Sequence, residues 1–216
     1  MGIIERKERE KEQRKQEIID AAERIFFNKG YHEATMDEIA AEAELSKGTL
    51  YLYFKNKEDL YFEIFLRGME ILINMIRDVL DDHGSGLGNL IQTGQTFTRF
   101  FYQHPHYSQP ILLFENNGFG NISVDEEKIK NFCLGESPFS IVTNIVEQGI
   151  HDGSLRNDLD PQILASTLWS QMLGILTVLN QKKNVYQVLD INIENIVHTH
   201  FEVIINGIKK ETNQVK

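Results

Sequence analysis

Residues 44–60, Glu-Leu-Ser-Lys-Gly-Thr-Leu-Tyr-Leu-Tyr-Phe-Lys-Asn-Lys-Glu-Asp-Leu, constrain this chain more than any other stretch. They follow a short apolar pattern, Met36 to Ala43, with almost no connecting sequence. Two brief helices joined by so tight a turn read as a helix-turn-helix, whose second helix is built to enter the major groove of DNA. Thr35 with Glu38 three residues on makes a capping-box pattern for the first of the pair, and Ser46 is the natural N-cap of the second. Leu50 and Phe54 are its inward residues; Ser46, Lys47, Gly48, Thr49, Tyr51, Leu52 and Tyr53 are its outward ones.

Helical spacing continues on both sides. Ile18, Ala22, Ile25 and Phe26 predict a first helix ending near Gly30, preceded by a run of Glu alternating with Lys and Arg. That run is either an arm meeting phosphate or a solvated helix with pairs such as Glu10–Arg14. Asn56 caps a fourth helix, with Leu60, Ile64, Phe65, Leu72 and Val79 on its apolar stripe. Gly84-Ser85-Gly86 stops it, and some 26 residues would span about 39 Å. Leu87 to Gln103 repeats the pattern until His104-Pro105 breaks it, and Asn116 to Asn121 is the clearest internal loop. Ser123 and Ser137-Pro138 open two more helices. The last two begin at Asp160-Pro161 and near Asp190. Both are apolar on more than one face, which a partner subunit explains best. The expected class is all-α, with about nine helices.

Composition limits the chemistry. The formal charge is -10, with 11 Lys/Arg against 14 Asp/Glu in residues 1–60, so indiscriminate coating of nucleic acid is excluded. Binding has to come from a few placed contacts. One cysteine, Cys133, excludes an internal disulfide and suits a reducing cytosol, where it reads as a small buried hydrophobe. The charged N-terminus is unlike a signal peptide, and no apolar run approaches the ~20 residues needed to span a bilayer. His104 and His106, like His198 and His200, lack a third ligand at metal-binding spacing. No nucleophile elbow, phosphate-cradling loop or metal-protease motif is present, so no catalytic residue, metal or cofactor is assigned.

The ordered segments Ala21-Ala22 with Phe26, Gly30-Tyr31, Thr35 before Ile39-Ala40, Leu45 through Phe54, and Lys57-Glu58-Asp59-Leu60 together resemble the TetR family of bacterial transcriptional regulators. Beyond residue 62 the resemblance rests on helix count and on Gly153 to Pro161, similar to the turn before that family's dimerisation helices. It implies a three-helix DNA-binding head over 1–56 and a helical effector-binding and dimerisation domain over 57–216. It also implies a cytoplasmic homodimer on near-palindromic double-stranded DNA, repressing until a small molecule releases it.

Within that reading Thr35, Tyr51, Tyr53 and Lys57 are expected at phosphates. Lys47, Gly48 and Thr49 are expected at base edges, with Ser46 beside them. Phe65, Met69, Phe97, Phe101, Phe114, Trp169 and Met172 are candidates for a pocket holding a hydrophobic or aromatic ligand, the alternative being plain core packing. Leu168, Ile175, Leu176, Val197, Phe201, Ile204 and Ile205 are candidates for the dimer interface. Two rivals are a helical interaction protein that has lost DNA binding and an enzyme on a helical scaffold. The first is opposed by the intact Ser46–Phe54 segment, the second by the lack of a convergent polar constellation.

Overall fold

Capping residues set most of the element boundaries. The computed structural model describes residues 2–117 and 123–210. They form α1 (Ile3–Glu33), α2 (Met36–Glu42), α3 (Lys47–Tyr51), α4 (Lys57–Arg77), α5 (Gly86–Gln103), α6 (Pro105–Asn117), α7 (Glu126–Leu134), α8 (Pro138–His151), α9 (Pro161–Gln181), α10 (Lys183–Val188) and α11 (Ile193–Ile208). Among the described residues no strand forms; one isolated antiparallel bridge joins Leu155 to Lys209. The described residues are all-α as expected, with two helices beyond the nine expected. Contacts divide it into two compact units, Met1–Gly68 with His106–Asn131, and Met69–Pro105 with Phe132–Lys216.

The first unit is built on α1, which is interrupted at Gly30 (φ 80°, ψ 165°), a conformation that glycine adopts without steric cost. Ile18, Ala22 and Phe26 of α1, Ile39 and Ala40 of α2, Leu50 and Phe54 around α3, and Leu60 and Ile64 of α4 are buried. The Thr35–Glu38 capping box forms as expected. Asn56 Oδ1 accepts from the Asp59 N–H at 2.7 Å and so caps α4. In the N-terminal run Glu10 pairs with Arg6 (2.7 Å) and not with Arg14, which reaches Glu17 instead. Phe62, Phe65 and Phe114 pack ring on ring at 5.2–5.3 Å. Pro105 does not end helicity: it sits at the first position of α6, where its missing N–H costs nothing. The expected Ser123 cap is displaced by Asp125, whose carboxylate accepts from the Glu127 N–H at 3.0 Å. Of the expected loop, Asn116 and Asn117 are helical; the rest of it lies outside the described residues, as does the side chain of Cys133.

In the second unit α4 ends at Arg77, well short of the expected Gly84. Asp78, Asp81 and Asp82 would put negative charge at the negative end of the helix dipole. The turn is held instead by buried Asn89, which accepts from the Asp81 N–H and donates to the Asp81 carbonyl, both at 3.0 Å. Asp152 and Ser154 accept from the Gly86 and Leu87 N–H groups at the start of α5, at 2.7 and 3.0 Å. There α5 and α8 cross so closely that a Cβ on Gly86 would lie 2.2 Å from the Gly149 nitrogen. Val142, Val146, Leu155, Leu164, Ala165 and Ile208 form the core beneath. The unforeseen α10 is set off by Lys182 and by Asp190, whose φ of 53° ends it; α11 then starts from an Asn192 cap. By length and composition alone α9 reaches the range of a membrane-crossing helix (mean hydropathy 1.4), contrary to the expectation that no segment would. Ser166, Thr167, Ser170 and Gln171 interrupt its apolar run.

Candidate nucleic-acid interface

Helices α2 and α3 are joined through Ala43–Ser46, a turn closed by Leu45 N–H donating to the Ala40 carbonyl at 2.8 Å. Glu44 takes a left-handed φ of 54° to make it. Ser46 caps α3: its Oγ accepts from the Thr49 N–H at 3.1 Å and lies 2.8 Å from the Thr49 hydroxyl. That hydroxyl pair and the Thr35 hydroxyl, 3.0 Å from the Glu38 carboxylate, are held in place by the caps they serve.

Thr35, Ser46, Lys47 and Gly48 are exposed, Thr49 is partly so, and Tyr51 is 44% exposed. A Cβ on Gly48 would meet only Ser46 Oγ, at 3.9 Å. Nothing inside the chain therefore requires glycine there. Lys47 pairs with Asp37 at 2.6 Å, and the carboxylate, by hydrogen bond and charge, holds the ammonium above its ordinary value. Tyr53 is half-buried. Lys57 is turned away from the others: its ammonium donates to the carbonyls of Tyr31, His32 and Ala34 at 2.8, 3.2 and 3.0 Å. It also lies 4.6 Å over the Tyr31 ring, and so clamps the chain where it leaves α1. Leu52, expected outward, is 80% exposed just beyond α3, an apolar side chain with no place in the core; Asp37, the partner of Lys47, is a neighbour that the expected set lacked. Helical periodicity alone places Leu52 outward; the Asp37 pair needs the third dimension.

The aromatic set expected to line a pocket divides. Phe97, Trp169 and Met172 line an apolar cavity of about 70 Å³ in the second unit, Trp169 standing edge-on to Phe97 at 5.1 Å. Phe101 stacks on Phe97 at 5.2 Å. Phe65 and Phe114 belong to the packed rings of the first unit, and Met69 is buried. The residues expected at a subunit interface divide too. Leu168, Phe201, Ile204 and Ile205 line the same cavity, Leu176 is buried, and Ile175 and Val197 are half-buried. The outward apolar residues are others: Ile163 (68% exposed) and Val178 on α9, and Val203 (67%) on α11. On the same two helices Gly174 and Gly207 have open space where a Cβ would be. His104 and His106, two apart in sequence, stack on different rings, Phe100 and Phe27.

Among the described residues, a capped two-helix turn within an otherwise helical chain that holds an apolar cavity has the form of a helix-turn-helix protein. Residues 18–64 match the family model of the bacterial regulatory proteins of the tetR family. The chain is 26% identical over 170 residues to the fatty acid metabolism regulator protein of Bacillus subtilis, covering 77% of this chain and 84% of that one. It is 27% identical over 153 residues to the HTH-type transcriptional repressor KstR2 of Mycolicibacterium smegmatis, covering 70% and 72%. Its fold is similar to the crystal structure of the regulator FadR from Bacillus subtilis in complex with stearoyl-CoA, with a TM-score of 0.64 at 21% identity over 89% of this chain and 98% of that one. Residues 18–64 therefore carry the DNA-binding helix-turn-helix of the tetR family of bacterial regulatory proteins.

Proposed function

We propose that the protein is a cytoplasmic homodimeric repressor that leaves a near-palindromic operator when a small hydrophobic molecule binds. Residues 1–56 are the head and 57–216 the effector and dimerisation domain. The observation that carries the DNA reading is the exposed surface around Gly48, a glycine that internal packing does not demand, set between Lys47 and Thr49. A helix bare at that point can approach base edges closely. Lys47 and Thr49 then read the bases, while Thr35, Ser46, Tyr51 and Tyr53 hold the backbone. Lys57 contributes at phosphate by fixing the junction of α1 with α2 and α4 and by its positive charge.

The outward apolar faces of α9 and α11 favour association with a second copy, which would bring two heads to half-sites about 34–36 Å apart or a multiple of that. The similarity to a fatty acid metabolism regulator and to a stearoyl-CoA complex supports a hydrophobic effector. Helix α4 offers the route for its signal: 21 residues, about 32 Å, begin at the head with Lys57, and Ile76 near the other end lines the cavity. An effector that prefers one head spacing weakens DNA binding, and DNA weakens effector binding by the same factor.

The test is fluorescence anisotropy on DNA upstream of the gene at two salt concentrations, with the parent, Thr49→Ala and Tyr51→Phe. Parent binding should be specific and fall with salt. Tyr51→Phe should weaken all sites alike, and Thr49→Ala should relax preference at one base pair. Failure of the parent to bind any genomic fragment specifically would refute the repressor reading.

A further inference from the structure

The cavity of the second unit contains one hydroxyl that the fold leaves unused. Thr93 of α5 lines it, is 4% exposed, and its Oγ1 has no hydrogen-bond partner among the described residues. A threonine inside a helix has a ready local solution, donation to the carbonyl four residues back. Thr98, Thr143 and Thr167 all adopt it, donating to Gly94, Phe139 and Ile163 at 3.1, 3.0 and 2.8 Å. Thr93 does not, although it stands on the same helix as Thr98, five residues away.

A buried hydroxyl without a partner is destabilising, and native chains keep few of them unless something outside the chain completes the bond. Water is a poor completion here. A buried water needs two to four polar partners. Among the described side chains around the cavity the indole N–H of Trp169 is the one polar group besides Thr93. The rest are apolar or glycine, such as Ile76, Leu90, Phe97, Met172 and Phe201, so at best the minimum of two could be met. The same lining excludes a charge. Among the described residues no lysine, arginine or histidine lines the cavity, so a carboxylate or phosphate placed in it would be buried without a counter-ion from them. The volume of about 70 Å³ also lies far below the roughly 300–1,000 Å³ that encloses a drug-sized ligand.

We propose that Thr93 is the polar anchor of an effector subsite, and that the group it takes is neutral, small and mostly hydrocarbon, with a single carbonyl or hydroxyl oxygen. That group is either a whole small molecule or the uncharged end of a larger one. The inference rests on the ligand-responsive reading above and narrows it: a free fatty acid would have to leave its carboxylate outside.

The test uses two isosteric probes, 2-butanone and 2-methyl-1-butene, which differ by an oxygen in place of a methylene. Each is titrated into the full-length protein and followed by the NMR signals of the cavity methyls of Leu90 and Ile204. The ratio of ketone to alkene affinity in the parent should drop about three- to tenfold in Thr93→Val, the range of one hydrogen bond, and be retained in Thr93→Ser. An unchanged ratio in Thr93→Val, or no perturbation of those methyls by either probe, would overturn the proposal. If Thr93→Val does not fold, loss of the parental ratio in Thr93→Ser overturns it equally, because the hydroxyl is kept there. Operator occupancy measured in the same samples separates the two claims. A moved ratio without DNA release supports the subsite and counts against the effector reading. Release by an effector with an unmoved ratio does the reverse.

Discussion

Glu44 stands in the turn between α2 and α3 at a φ of 54°, where an L side chain costs roughly 1–2 kcal/mol and glycine costs almost nothing. Replacing it should therefore help the fold. Glu44→Gly is expected to raise stability by about 1 kcal/mol in thermal or urea unfolding, and to tighten DNA binding by removing a negative charge beside Lys47. A drop in stability would show that the carboxylate has a stabilising role that outweighs its backbone strain. Lys57 shows what a motif does and does not reveal about a residue. Its place after Phe54 was legible in the sequence, but its three carbonyl acceptors were not. They exist because Gly30 breaks α1 and leaves the backbone of 31–34 turned toward it.

Element boundaries were legible wherever a side chain caps its own helix. Thr35, Ser46, Asn56, Ser137 and Asp160 all start helices as their positions suggested. The end of α4 and the start of α7 were not legible, because distant or competing groups decide them: Asn89 for the first, and Asp125 over Ser123 for the second. Helix α7 is tied to α4 by charge. Lys128 reaches Asp59 and Glu63, each at 2.7 Å, with both carboxylates in largely buried residues, and Glu63 is also met by Lys15 at 3.1 Å. Burial pushes the Lys128 ammonium down, but its hydrogen bonds to Asp59 and Glu63 outweigh that and hold it above the ordinary 10.5. A raised lysine value stabilises the fold fully below the unfolded value near 10.5, and the contribution is lost as pH rises through the folded value. Lys128→Met should cost roughly 3 kcal/mol at pH 8, because it takes the ion pair from the buried Asp59 carboxylate and leaves Glu63 with Lys15 alone. The gap between parent and variant, followed by urea unfolding, should then narrow above pH 10.5. A gap independent of pH would mean that the ion pairs are not its source.

For the molecule as a whole, apolar periodicity marked α9 and α11 as two-sided but could not say which side faces in. The structure assigns Leu168, Phe201, Ile204 and Ile205 to the cavity and leaves Ile163, Val178 and Val203 outside. If the outer face is the subunit contact, Ile163→Asp combined with Val203→Asp should convert a dimer to a monomer in light scattering. Each head would remain folded, while operator affinity would fall at least a hundredfold for want of the second half-site. A dimer that survives both charges would place the contact elsewhere. The pairing of Lys47 with Asp37 matters at this scale too, since the chain carries a net charge of -10. Reaching a base edge, as proposed above, is for Lys47 the exchange of a carboxylate for another acceptor, not the first engagement of a free cation. Added salt weakens the bond it leaves as well as the bond it forms, so Lys47 adds less than a full counterion to the salt slope. Counting this protein's cationic contacts with DNA from that slope would give too small a number, and the shortfall would itself measure how firmly Asp37 holds the lysine back.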